Sequence, residues 1–163
     1  MYKVIKIGGR DYHLEYSIEA SLYSDCVEDM TSMFGSVILI DDDKMNVKDK
    51  LREMCSGMAS IPSVTLTVFY AGLMEAHGDH PDGDGTVPNI ATAKQLIKQY
   101  ILEHKEDDTG NFYGILELCL AQMADDGFFE LIGLEKMFGE KEPKKQAKTP
   151  QDHKKQSKKA SEK

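Results

Sequence analysis

The sequence predicts a mainly α-helical domain: an N-terminal β-hairpin packed on a compact bundle of about five helices, then a disordered tail. Three observations predict it. Two short strand-like runs flank Gly8-Gly9, and later segments repeat apolar residues at helical spacing. Beyond Glu140 that periodicity stops. The expected division is a folded body over residues 1–139 and a Lys-rich tail over 140–163. A body of that length can bury a core without disulfides or metal.

The hairpin comes first. Tyr2-Lys3-Val4-Ile5-Lys6-Ile7 is apolar and β-branched, and Asp11 to Tyr16 alternates, with Tyr12, Leu14 and Tyr16 on one face. Two glycines between such runs accept the positive φ that a tight hairpin turn needs. An isolated hairpin is marginal, so this one must lie on the helices. Ser17 suits the N-cap of a first helix carrying Ile18, Leu22, Cys26, Met30 and Met33 inward, which Gly35 would close. Val37 to Ile40 is then a short strand or a helix extension. Asn46 suits the cap of a second helix, with Asp49 in its first turn and a stripe of Val47, Leu51, Met54, Cys55 and Met58. Gly57, Ser60 and Pro62 weaken its end.

The stretch from Ile61 to Gly78 is the most apolar part of the chain and has no Lys or Arg. Two local rules compete in it. Val64, Leu66, Val68 and Tyr70 alternate with Thr65 and Thr67 as in a strand, while Leu66, Phe69, Tyr70, Leu73 and His77 share one helical face. Pro62 suits a first helical position and Gly78 a C-terminal cap. The residues alone favour neither. Gly78 to Gly85 is a loop by composition. Asn89 caps a helix reaching about His104, with Ile90, Ala93, Ile97, Tyr100 and Ile101 inward. The last long segment carries Phe112, Leu116, Cys119, Leu120 and Met123, and Gly127 kinks or splits it before Phe128.

Charge divides along the chain. Residues 140–163 hold nine Lys and four acids, whereas the preceding 139 residues hold eleven Lys and Arg against 24 acids. An acidic body does not attract nucleic acid, and the tail has no aromatic residue on which bases could stack. It suits a basic or apolar partner. No run of about 18 uncharged apolar residues occurs, so a soluble protein without membrane contact is expected. Cys26, Cys55 and Cys119 are far apart and lack a Cys-x-x-Cys pair, which reads as three buried thiols.

No enzyme motif emerges. Gly8-Gly9 lacks the Lys-Ser/Thr of a phosphate loop, and neither Ser36 nor Ser56 stands in a nucleophile elbow. The loop from His80 to Asp84 places Asp82, Gly83, Asp84 and Gly85 somewhat as a calcium loop does, but His80 stands where the first Asp belongs and Ala91 where the bidentate Glu belongs. Neither catalytic residue nor cofactor is expected, and a solvated turn is the ordinary reading of the loop. A small metal-binding protein using His80–Asp84 is the remote alternative. The candidate partner-binding patch is the late cluster Phe128, Phe129, Leu131, Ile132, Met137 and Phe138, apolar and beside the tail.

Taken in order, the opening hairpin, the Tyr16-Ser17-Ile18-Glu19-Ala20 helix start, Ile61-Pro62 leading to Phe69-Tyr70-Ala71-Gly72-Leu73 and His77-Gly78, the polar loop and the charged tail resemble the tail assembly chaperones of long-tailed phages and prophages. The resemblance spans roughly residues 2–138. It implies a non-enzymatic protein of the bacterial host cytoplasm. Such a protein coats the apolar, helical tape measure protein, helps recruit tail tube subunits, and is absent from the mature virion. It also implies a helix from near Pro62 to near Gly78, with Leu66, Phe69, Tyr70 and Leu73 in the core. Self-association is a further possibility. A neck or head–tail joining component of a phage particle is the rival class.

Overall fold

The computed structural model describes residues 2–40, 46–134 and Lys136, with the backbone alone at 36–40 and at Glu53. The fold is mainly helical with a two-stranded antiparallel hairpin at its start. Strands β1 (Lys3–Ile7) and β2 (Arg10–Leu14) pair from Lys3 with Leu14 to Ile7 with Arg10. Gly8 and Gly9 form the turn at φ 62° and 75°, the left-handed region that glycine enters without strain. Six helices follow among the described residues: α1 (Ile18–Leu22), α2 (Ser24–Ile40), α3 (Val47–His77), α4 (Ile90–Glu103), α5 (Phe112–Asp125) and α6 (Phe128–Leu131).

The centre is α3, which packs against α1, α2, α4, α5 and β2. It is one 31-residue helix rather than two, a correction to the expected break before Pro62. Pro62 has no N–H to give the preceding turn. Nearby, serine hydroxyls bond back along the helix: Ser60 donates to the Gly57 carbonyl at 2.7 Å and Ser63 to the Ser60 carbonyl at 2.8 Å. Pro62 is exposed, so its ring displaces no core side chain. Asn46 caps α3 as expected, its side-chain oxygen accepting from the Asp49 amide at 3.0 Å. Gly78 ends it, its N–H reaching the Met74 carbonyl at 2.9 Å.

Thr65 and Thr67 gave the central stretch its strand-like look. In the helix Thr67 donates back to the Ser63 carbonyl at 3.1 Å, and buried Thr65 donates to the Phe112 carbonyl at 3.0 Å, tying the start of α5 to α3. Phe69 and Leu73 lie in the core, and Leu66 and Tyr70 pack half-buried against it.

Two other boundaries differ from expectation. The first helix breaks at Tyr23 into α1 and α2, and Ile18 and Leu22 face solvent. Ser17 makes no side-chain cap bond, because its hydroxyl bonds Glu75 on α3 instead. Gly35 does not end α2, which runs on to Ile40 and so settles Val37–Ile40 as helix. The hairpin lies on α3 where Gly72 offers no side chain: the Gly72 carbonyl accepts the Glu15 amide at 2.8 Å, and the Tyr16 hydroxyl donates to Val68 at 3.1 Å. Asp126 accepts the Tyr16 amide at 2.9 Å, and the Phe128 ring meets the Tyr16 ring edge-on with centroids 5.6 Å apart. Gly127 separates α5 from α6 with φ 68°. The proposed tail, 140–163, lies outside the described residues.

Candidate functional site

One polar node could pass for a catalytic dyad. His77 ends α3, where it is buried, and Nδ1 lies 3.0 Å from Asp84 Oδ2 and 3.1 Å from the Thr86 hydroxyl oxygen. Its other nitrogen, Nε2, accepts the His13 backbone N–H at 2.8 Å. That bond fixes the tautomer: Nε2 carries the lone pair and Nδ1 the proton, which points at Asp84. The lone pair a general base would use is thus spent on the hairpin backbone. Thr86 donates its amide and hydroxyl to Asp84 Oδ1 at 2.9 and 2.6 Å. Burial alone would raise the Asp84 carboxyl, but these bonds, with that from His77, outweigh it and hold the group below its ordinary value. The node pins loop 78–88 to the hairpin. Val87, fully buried, adds its amide to the His77 carbonyl at 2.7 Å.

The loop from His80 to Asp84 is similarly self-satisfied. His80 Nε2 bonds the Met74 carbonyl at 2.7 Å, which raises its pKa, and Nδ1 lies 3.3 Å from the Asp82 amide. Among the described residues no group of three or more His, Cys, Asp or Glu side chains is placed to hold a metal ion. Cys26 and Cys119 are buried, and burial pushes both thiols up to about 12. Cys55, expected to be buried, is exposed on α3.

The late apolar cluster does not form one open patch. Phe128 is fully buried beneath the hairpin, and Phe129 is half-buried with its ring 5.3 Å from that of Phe34. Phe128 is therefore core rather than partner-facing, because Gly127 turns the chain back and drops the ring beside Tyr16. Ile132 is half-buried and Leu131 is exposed. Met137 and Phe138 lie outside the described residues.

Open apolar surface lies instead along α3. Val47, Leu51, Met54 and Met58 are 83%, 55%, 49% and 63% exposed. They continue, at alternating steps of four and three, the row Ile61, Thr65, Val68 and Gly72. That row is half-buried at Ile61 and buried from Thr65 on. A single helical face thus passes from core to solvent without changing character. Beside its outer half, α2, α3 and α5 enclose a groove of about 460 Å³ lined by Met33, Met54, Met58, Ile61, Tyr113 and Leu120 among others. Among the described residues the charged side chains lining it are Asp29 and Glu117, with no Lys or Arg. A second groove, of about 600 Å³, runs between α3 and α4 over Pro62, Leu66, Ile101, Leu102 and Phe112, with Lys94 and Lys98 at its rim.

The Met-lined groove escaped sequence reasoning because its walls come from three separated helices. The stripe on α3 was visible, but its amphipathic spacing is equally that of a core helix. Length and composition also make α3 apolar enough to cross a membrane: one 18-residue window has mean hydropathy 1.3, and 44% of it is buried inside the fold. Compared with family models, curated proteins and solved structures, the chain matches none.

Proposed function

We propose that this chain is a non-enzymatic assembly chaperone of a phage or prophage tail. It binds the tape measure protein, keeps that client soluble and helps bring tail tube subunits to it. It acts in the cytoplasm of the bacterial host and leaves before the virion matures. The observation that carries this reading is the acid-rimmed, methionine-lined groove opening beside the exposed half of α3. Methionine side chains repack around varied apolar surfaces, which suits a client that offers many similar helical segments. The resemblance of the hairpin and of the Tyr70-Ala71-Gly72-Leu73 segment to tail assembly chaperones supports the same reading.

In this reading the client lies along Met33, Met58, Ile61 and Leu120, and the exposed Leu131 plays a minor part. The test is co-expression of the full chain with a tape measure protein. The client is expected in the soluble fraction and co-purifying, and Met58→Asp, at an exposed position, is expected to abolish co-purification while leaving the fold intact. An insoluble client with nothing co-purifying overturns the chaperone reading. Stable retention of the protein in purified particles overturns it too, in favour of a joining component. Co-purification unchanged by Met58→Asp overturns the groove assignment alone.

A further inference from the structure

We propose that the Lys-rich segment 140–163 folds back over the acid-rimmed groove between α2, α3 and α5 of its own chain, as a cover that a client must displace. The contact itself stands on charge and chain connection, and only its release by a client rests on the chaperone reading. Charge is the first support. Residues 11–43 hold nine acids and no Lys or Arg, residues 53–93 hold five and none, and residues 106–135 hold eight and none. Every described residue lining the groove falls within these three stretches. The bases of the body stand mostly on the hairpin, at the outer end of α3 (Lys48, Lys50 and Arg52) and on α4 (Lys94 and Lys98). Against this side of the fold, residues 140–163 bring nine Lys and four acids. Opposite charge of this extent steers the segment toward the groove and away from α4.

The path of the chain is the second support. Phe129 on α6 and Phe34 on α2 have ring centroids 5.3 Å apart, and Phe34 adjoins Met33 of the groove wall. Lys136, the last described residue, lines a hollow with Glu15, Asp126 and Glu130. The segment therefore leaves the fold on its acidic side, close to the groove. The 27 residues after Lys136 reach up to about 90 Å when extended, so the whole groove is within range. Tethering presents them at an effective concentration of about millimolar, which populates a contact too weak to hold between separate molecules. Composition sets the kind of contact. The hydrophobic residues of 140–163 are Ala147 and Ala160 alone, so the segment cannot fill the methionine floor. Its lysines lay their methylene stems along that floor and their ammonium groups at Asp29 and Glu117. An apolar client helix does fill the floor, and so displaces the cover.

The test uses the full chain. Ser157→Cys in a Cys55→Ser background takes a nitroxide at residue 157 alone, since Cys26 and Cys119 are buried. At low salt the amide NMR signals of residues 28–33 and 116–120 should lose intensity, while those of β1 and α4 keep theirs. In 1 M salt the loss should disappear, because the screening length falls from about 10 Å at 0.1 M to about 3 Å. Asp29→Asn with Glu117→Gln should restore most of the lost intensity at low salt. Signals untouched by the label overturn the proposal, and so does a loss spread evenly over β1 and α4. A loss that survives 1 M salt, or that ignores Asp29→Asn with Glu117→Gln, overturns it as well. An equal loss in an isotope-labelled chain without nitroxide, mixed with the nitroxide chain, overturns it by assigning the segment to a second copy. Bound tape measure protein should bring the signals back. If that client co-purifies while the signals stay lost, the cover is overturned and the chaperone reading stands. If the client fails to co-purify and the loss is present without it, the chaperone reading falls and the contact stands.

Discussion

Replacing Gly72 by Ala tests whether the hairpin truly closes on α3. A Cβ built at Gly72 would stand 2.5 Å from Leu14 Cδ1, 2.7 Å from Tyr16 Cζ and 2.9 Å from the Tyr16 hydroxyl oxygen. Neither neighbour has space to retreat, since Leu14 is 0% and Tyr16 1% exposed. Overpacking of this kind costs about 1–3 kcal/mol. Pushing the Tyr16 ring also strains its bond to the Val68 carbonyl, worth about 1 kcal/mol. Against this, Ala is the better helix former by about 1 kcal/mol. The balance is a loss of about 2 kcal/mol, or ~4–8 °C in Tm for a domain of this size. Gly57→Ala is the matched control on the same helix. Its Cβ meets nothing within 4 Å, so only the propensity gain remains and Tm should rise by ~2–4 °C. Thermal and urea unfolding followed by circular dichroism gives both numbers. If Gly72→Ala stabilises as much as Gly57→Ala, the hairpin does not sit on Gly72, and the packing described for β2 is wrong.

Three further outcomes follow. Leu73→Ala should lower the urea-derived stability by about 2–5 kcal/mol without altering the exposed face of α3, because Leu73 is fully buried. A maleimide added to the native protein should label Cys55 alone, with Cys26 and Cys119 reacting only in denaturant, as mass spectrometry of digests would show. Asp84 has a folded-state pKa below its unfolded value of about 3.9, so its contribution is complete above that pH and disappears as pH falls through the folded value. The stability advantage of the wild type over Asp84→Ala should thus be present near neutrality and vanish in acid, and an advantage independent of pH would refute the role given to the Thr86 and His77 bonds.

The hairpin was legible because its two rules agree: β-branched alternation on both sides and a Gly-Gly turn between. The caps Asn46 and Asn89 were legible for a similar reason, each standing at the start of a clear helical period. The expected break at Pro62 failed because a local rule met a stronger tertiary one. A helix that packs against five other elements keeps its direction through one lost hydrogen bond. Ile18 and Leu22 fit an inward stripe by spacing, yet the turn at Tyr23 rotates α1 relative to α2 and breaks the common face. Phe128 read as exposed because it follows a glycine near a polar tail. Its place depends on Tyr16, 112 residues away in sequence, and no local pattern carries that information. The groove is of the same kind, since Met33, Met58 and Leu120 meet only in three dimensions.

Continuity of the α3 face bears directly on the proposed client groove. Burying the row from Thr65 to Gly72 orders the helix, and that order is propagated outward to residues that gain nothing from the core themselves. An isolated segment of the length from Val47 to Met58 would be a marginal helix in water, so its exposed apolar row exists as a preformed surface only because the inner half is anchored. A preformed helical face loses less entropy on pairing than a disordered segment would. In the proposed function, that is what lets Met58 and the groove beside it receive a client helix without first having to fold.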